Sequence, residues 1–188
     1  MQTWLAGKAA GYISGELGTR VHIGGLDISW FLDVVLEDVI VADKSGRDII
    51  NARSIRLNLG KLNSKQRYIG IYTASLKHAE INLVVNASDS LMNYSFIIDY
   101  FAGTDTTSLK TETKPWKIGI SGIGLHECTF NYNNELKGFS ESGVDFDHLG
   151  IRNLNLDLRR IRIESDSITA RINSLSFSEK SGFILKEF

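Results

Sequence analysis

The sequence predicts a mainly β protein: an elongated antiparallel sheet built from repeated units, with an N-terminal amphipathic helix and one short inserted helix. Three observations predict it. Beyond Val21, apolar and polar residues alternate with a period of two over most of the chain, the pattern of half-buried antiparallel strands. One short pattern recurs three times without gaps. Pro115 is the only proline, so little interrupts a strand ladder.

Residues 2–17 read as the helix. Trp4, Leu5, Ala9, Tyr12, Ile13 and Leu17 recur at helical spacing, and Gly18 follows as its C-cap. With little positive charge, this helix is expected to cover an open sheet edge rather than lie on a membrane surface. Residues 21–188 follow as β-repeats. Val21/Ile23, Ile118/Ile120 and Leu175/Phe177 are typical of the alternating pairs. Turn signals separate them at Lys44-Ser45-Gly46, Asn86-Ala87-Ser88, Asn133-Asn134 and Glu179-Lys180-Ser181-Gly182. Residues 90–102 hold Leu91, Tyr94, Phe96, Ile97, Tyr100 and Phe101 without alternation, which predicts the inserted helix. The polar stretch 103–114 has nothing to bury and reads as a flexible loop. The chain starts inside the helix-like segment and stops at Lys186-Glu187-Phe188 within strand-like alternation, so it reads as truncated in mid-domain.

The repeat is the most informative feature. Leu36-Glu37-Asp38-Val39-Ile40-Val41, Leu76-Lys77-His78-Ala79-Glu80-Ile81-Asn82-Leu83 and Leu125-His126-Glu127-Cys128-Thr129-Phe130-Asn131-Tyr132 superimpose. Each reads apolar, two polar, apolar, any residue, apolar. The step of three breaks a strict period of two, which predicts a β-bulge or strand step at one fixed place in every unit. The units recur at the spacing of repeat architectures.

The net charge of −1 comes from interspersed charges of both signs and gives no footprint for nucleic acid. Arg159, Arg160 and Arg162 alternate with Ile161 and Ile163, as on the outer face of a strand. There is no apolar run long enough to span a membrane as a helix and no signal-peptide pattern. His126 and Cys128, two apart, would face one way on a regular strand, but no second pair completes a zinc site. The repeat instead places Cys128 where Val39 and Ala79 stand, as an inward small residue. Asp145, Asp147 and His148 lack a nucleophile or second acidic cluster and read as an exposed strand start. Asp43-Lys44-Ser45-Gly46-Arg47-Asp48 lacks the later ligands of a calcium loop and reads as a hairpin turn with Gly46 at positive φ. His22 and His78 read as structural. The chain is therefore expected to be no enzyme, with no cofactor and no metal.

An ordered set of segments also carries a family resemblance: Gln2 to Ile28, Val35-Leu36-Glu37-Asp38-Val39, Phe96-Ile97-Ile98-Asp99-Tyr100-Phe101, Pro115-Trp116-Lys117, Gly143-Val144-Asp145-Phe146-Asp147-His148-Leu149 and Leu175 to Phe183. Together they resemble the N-terminal periplasmic part of TamB/AsmA-like proteins of Bacteroidota. That resemblance implies a sheet curled into a groove, taco-like, in a protein anchored in the inner membrane and extending through the periplasm. It implies a role in outer-membrane biogenesis, by carrying phospholipid between the inner and outer membranes along an apolar groove. The alternative is a scaffold for inserting outer-membrane β-barrel or secreted proteins. The implied partners are phospholipid, the inner membrane through an N-terminal anchor, and an outer-membrane partner of the BamA/TamA type. It also likens Asp89-Ser90-Leu91 and Asp166-Ser167-Ile168 to O-glycan acceptor triplets.

A conduit of this kind needs a continuous apolar lining with backbone hydrogen bonds already satisfied. Alternation nominates Ile55, Leu57, Leu59, Ile81, Leu83, Val85, Leu125, Phe130, Leu154, Leu156, Leu158, Ile161, Ile163, Ile172 and Leu175 as the groove lining. A closed β-sandwich core would give the same alternation.

Overall fold

A computed structural model describes residues 3–29, 32–102, 117–141, 143–163 and 168–187. The expected loop over 103–114 lies outside them, as do Asp166 and Ser167. The elements run α1 (Thr3–Leu17), β1 (Val21–Ile28), β2 (Asp33–Ala42), β3 (Asp48–Asn63), β4 (Tyr68–Val85), α2 (Ser95–Ala102), β5 (Lys117–Ile120), β6 (Gly122–Asn134), β7 (His148–Ile163), β8 (Ile168–Glu179) and β9 (Ile184–Leu185). The described strands form one open sheet in the order β1-β2-β3-β4-β6-β7-β8-β9, with β5 beside the start of β4.

Most neighbours are antiparallel, but β4 pairs with both β5 and β6 in parallel, which corrects the all-antiparallel expectation. The cause is the inserted segment. β4 ends at Val85, and the chain returns to the end where β4 began through 86–116, including α2. It then re-enters the sheet at Lys117 opposite Tyr68. Parallel neighbours require such a crossover.

This arrangement explains the gapless superposition of two repeat units. Leu76 lies opposite Leu125, Ile81 opposite Phe130 and Leu83 opposite Tyr132, so the second and third units are neighbouring strands in register. Asn131 Nδ2 donates to Asn82 Oδ1 at 2.8 Å between equivalent positions of the two units.

The irregular residue falls where the sequence places it. Asp38 (φ 50°), His78 (φ 47°) and Glu127 (φ 51°), each third in its unit, are left-handed. Asn153 (φ 51°) and Arg160 (φ 55°) occupy the same place in Ile151-Arg152-Asn153-Leu154 and Leu158-Arg159-Arg160-Ile161. Across β1 to β4 the irregularity is collective: Asp38 stands between Gly24 and Arg53, Arg53 faces His78, and the register is the same on both sides of this line. A Cβ on Gly24 would sit 3.0 Å from that of Asp38, so the glycine admits the close approach.

Helix α1 packs on β1. Ala6 and Ala10 meet Ile23 and Leu26, with Leu5, Ala9, Val21, Val34 and Leu36 around them. Sequence periodicity names the wrong side of this helix in part. Trp4 (72% exposed) and Tyr12 (60%) face outward, and Ile13 is also exposed. Alanines let the helix axis approach the strand, where aromatic rings would hold it off. Helix α1 ends at Gly18, with φ 61°, and Lys44 Nζ donates to the terminal carbonyl of Leu17.

The inserted helix is shorter than expected. It begins at Ser95, because Val85 bridges Met92, Val84 N donates to Asn93 Oδ1, and Asn93 is buried. Phe96 of α2 lies under Lys44 Nζ at 4.7 Å, and Tyr100 Oη donates to Glu16 of α1 at 2.5 Å. Burial and the Glu16 carboxylate push the Tyr100 phenol up to about 12.

Candidate functional site: the apolar face of the sheet

Residues opposite one another on paired strands share a face, so strand register assigns faces directly. The longest row is Leu26–Leu36–Ile55–Leu76–Leu125–Leu156–Leu175, apolar on all seven strands from β1 to β8. On one side of it runs Ile28–Val34–Leu57–Ala74–Ile123–Leu158–Ile172. On the other, Ile23–Val39–Ala52–Ala79 is continued by Cys128–Leu154. Beyond that comes Val21–Val41–Ile50–Ile81–Phe130–Ile151. Leu59, Ile71 and Ile120 form a shorter row at one end, and Leu83, Tyr132 and Leu149 one at the other.

The nominated lining residues thus fall largely on one face. Ile55, Leu125, Leu156 and Leu175 share the longest row, Leu57, Leu158 and Ile172 its neighbour, and Ile81 and Phe130 another. Leu154 packs with Cys128, and Leu59 and Leu83 sit in the end rows. Val85 closes β4 opposite Asn134. Ile161 follows left-handed Arg160 and is half-buried. Of Ile163 only the backbone, paired with Ile168, is described.

Several members were missed, chiefly Leu26, Leu36, Leu76, Ile123, Ile50 and Ile151. The signal for Leu36 and Leu76 was in the repeat itself, because both superimpose on Leu125. Short apolar stretches such as Ile50 gave no alternation long enough to register.

No second sheet faces these rows among the described residues, since all described strands belong to one sheet. Two parts of the face are buried: in the middle Ala52, Ala79, Leu125, Cys128 and Leu154 form a core on which Ile55, Leu76, Ile81, Phe130 and Leu156 pack half-buried, and at the β1 end Ile23 and Leu26 lie against Ala6 and Ala10 of α1. Towards β8 the face opens, and Ile172 is 43% exposed. The opposite face is polar. Glu37, Ser54, Lys77 and His126 form one row there, and Arg56, Ser75 and Asp157 belong to another.

Two expectations about polar residues change. His126 and Cys128 do not face the same way, because left-handed Glu127 between them turns His126 to solvent and buries Cys128 completely. Cys128 Sγ instead lies 3.6 Å from the Leu76 carbonyl oxygen. The Asp145–His148 segment is no exposed strand start: His148 is buried, its Nδ1 is 3.0 Å from Asp145 Oδ2, and Phe139 stacks on its ring at 4.0 Å. Backbone N–H groups of Ser140 and Asp147, together with His148, hold the Asp145 carboxyl below its ordinary range.

The turn end of the sheet carries an ionic network beside a cleft of about 900 Å³ lined in part by Asp43, Lys44, Arg47, Asn86, Phe96 and Glu135. Burial raises the Asp43 carboxyl. Hydrogen bonds from Ser45 and Arg47 outweigh that, and the net shift is downward. Arg47 also pairs with Glu135 Oε1 at 2.8 Å, tying the β2–β3 turn to the end of β6. Among the described residues, no group of three or more His, Cys, Asp or Glu is placed to hold a metal ion. None of the described helices is long and apolar enough to cross a membrane.

Neither the models of known protein families nor any curated protein sequence matches this chain.

Proposed function

We propose that the chain is a periplasmic segment of an inner-membrane-anchored protein of the TamB/AsmA-like kind, and that its apolar face carries phospholipid acyl chains between the two membranes. One observation carries this reading: apolar rows cross the sheet side by side on a single face, with no opposing sheet among the described residues. A contiguous apolar surface of that extent marks an interaction site in a protein exposed to water.

The dimensions suit acyl chains. Helix α1 packs on Leu26 and Leu36, so the uncovered part of the longest row runs over five strands from Ile55 to Leu175, roughly 20 Å at about 4.8 Å spacing. That is somewhat more than the ~15 Å that one leaflet contributes to a bilayer core. Each buried methylene is worth about 0.8 kcal/mol, so exposing one long acyl chain to water costs on the order of 10 kcal/mol. Movement from row to row keeps the chain on side chains whose backbone groups are already paired within the sheet, and so lowers that barrier.

The test is photo-crosslinking in cells from a photoreactive residue at Leu156 or Leu83, with Arg56 on the polar face as control. Phospholipid adducts at Leu156 and Leu83 but not at Arg56 are expected. Adducts to protein alone would overturn the lipid reading and favour assembly of outer-membrane proteins, and equal lipid labelling at Arg56 would show that the face has no role.

A further inference from the structure

We infer that the polar face of the sheet binds an acidic oligosaccharide where β3, β4 and β5 meet, with sugar rings stacked on Tyr68 and Tyr72 and carboxylates on Lys61 and Lys117. The inference concerns the face opposite the apolar rows and does not rest on the lipid reading.

The first support is a floor of glycines under two tyrosine rings. Ile71 and Ile120 belong to an apolar row, so Gly70 and Gly119, the residues before them, lie on the opposite face. There the two glycines are in register with each other, and Gly70 also with Lys61. Tyr68, two residues before Gly70, shares that face. Its ring lies across both glycines: a Cβ on Gly119 would stand 2.5 Å from the Tyr68 hydroxyl oxygen, and one on Gly70 3.2 Å from Cε1. Tyr72 leans the other way, over β3, where three of its ring carbons would lie within 2.7 Å of a Cβ on Gly60. Both rings are laid along the sheet because no side chains stand beneath them. Covering glycine occupies one side of the Tyr72 ring, and the residue remains 62% exposed.

The second support is charge. Lys117 of β5 is in register with Tyr68, and Lys61 of β3 with Gly70, so an amine flanks the Tyr68 ring on either side. Both lysines are exposed, and no carboxylate lies within ion-pair range of either among the described residues. Beside Tyr72, Arg159 crosses Gly122, donates from Nη1 to Thr73 Oγ1 at 2.8 Å, and holds its Nε 2.7 Å from Asp157 Oδ1. That cluster offers donors and acceptors to hydroxyl groups.

These groups select among anionic partners. The electronegative face of a tyrosine ring receives the C–H-bearing face of a pyranose, which an acidic peptide does not possess. A bilayer surface is met by apolar side chains that project into it, and rings laid flat on glycines do not project. A nucleic acid is held mainly by many phosphate contacts, whereas two unpaired amines border these rings. Tyr68 and Tyr72 are about 13 Å apart along β4, so the ligand spans several sugar units.

The probe is tetragalacturonate, titrated into the whole chain by isothermal calorimetry, beside its methyl ester, which keeps the sugar rings and loses the charge. The acid is expected to bind about tenfold or more tightly than the ester. Tyr72→Leu, which still covers Gly60, is expected to weaken binding about fivefold or more, and Tyr72→Phe to leave it within about twofold. Lys61→Gln combined with Lys117→Gln is expected to bring acid and ester to equal affinity. Urea midpoints report whether each variant folds as the parent does; if Tyr72→Leu lowers the midpoint, the lysine pair decides. No binding of tetragalacturonate at millimolar concentration, equal affinity for acid and ester in the parent chain, or a preference for the acid that survives the lysine exchanges would overturn the inference. So would unaltered binding by a well-folded Tyr72→Leu. Equal or tighter binding of tetraglutamate, or of an oligothymidylate of the same charge, would overturn it too, assigning the face to any polyanion or to nucleic acid. None of these outcomes alters the crosslinking result at Leu156.

Discussion

Glu127→Gly is expected to leave stability within about 0.5 kcal/mol of the parent protein, while His126→Gly, one residue earlier, destabilises it by about 1 kcal/mol. Glu127 sits at φ 51° within β6, and His126 is not among the left-handed residues. A non-glycine residue held left-handed costs roughly 1 kcal/mol, and glycine removes that cost at Glu127. Against this stands glycine's larger entropy loss on folding, about 0.5–1 kcal/mol. The exchange also deletes the contact of Glu127 Oε2 with His78 Nδ1 at 3.2 Å; both side chains are more than half exposed, so at most about 0.5 kcal/mol is lost. The sum lies within about 0.5 kcal/mol of zero. At His126 only the glycine cost applies, about 1 kcal/mol. Glu127→Val should be the worst of the three, because a β-branched residue tolerates the left-handed region least.

The assay is urea unfolding, with the midpoint compared at constant slope. The backbone bond from Glu127 N–H to Asn155 Oδ1, at 3.1 Å, survives all three exchanges, so differences in midpoint report the backbone conformation. Equal losses from Glu127→Gly and His126→Gly would refute the left-handed assignment and with it the collective line through Asp38 and His78.

Three other outcomes follow from the same packing. Cys128→Leu should cost about 1–3 kcal/mol through overpacking, since the thiol is completely buried between Leu125, Ala79 and Leu154; the native Cys128 should also resist thiol reagents until the chain unfolds. Gly11→Ala should stabilise by about 1 kcal/mol, because a Cβ there meets nothing within 4 Å, and thermal unfolding reads it. Asp43, Glu179 and Asp145 all have carboxyls held below their ordinary values. As pH falls through the ordinary carboxylate range the unfolded chain takes up protons first. Their stabilisation is therefore full above about pH 5 and is lost progressively below it; Asp43→Asn should flatten the acid side of a stability–pH profile.

Much of the strand pattern was legible because a period of two survives any tertiary arrangement. Gly18, Gly46 and Gly182 were legible as well, each at a left-handed position that few other residues fill. The repeat located the irregular residue, and it correctly turned Cys128 from a ligand candidate into a core spacer. Pairing direction was not legible, because alternation is the same in parallel and antiparallel strands. The parallel step depends on which end of the sheet 86–116 returns to, and no local pattern records that. The face of α1 was misread because contact with β1 selects small residues, whereas periodicity weights large ones such as Trp4 and Tyr12. His148 was placed in solvent because its burial comes from Phe139 and Asp145, which reach it through a loop rather than along a strand.

The apolar face depends on the polar third residue of each unit as much as on the leucines. Leu36 and Val39 are three residues apart, as are Leu76 and Ala79, and Leu125 and Cys128. In a strictly alternating strand each such pair would point to opposite faces, and every apolar residue beyond it would turn to the polar side. Left-handed Asp38, His78 and Glu127 absorb the extra residue, so Val39, Ala79 and Cys128 return to the face of the leading leucine. Because β1 to β4 and β6 carry the irregularity at one level, the rows on both sides of the line remain continuous. If a single strand kept strict alternation, its neighbours' rows would end there, and the apolar face would be interrupted by Glu80 or Thr129. Continuity of the apolar rows therefore requires the repeat at that position, which accounts for a polar pair being kept in the middle of otherwise apolar units.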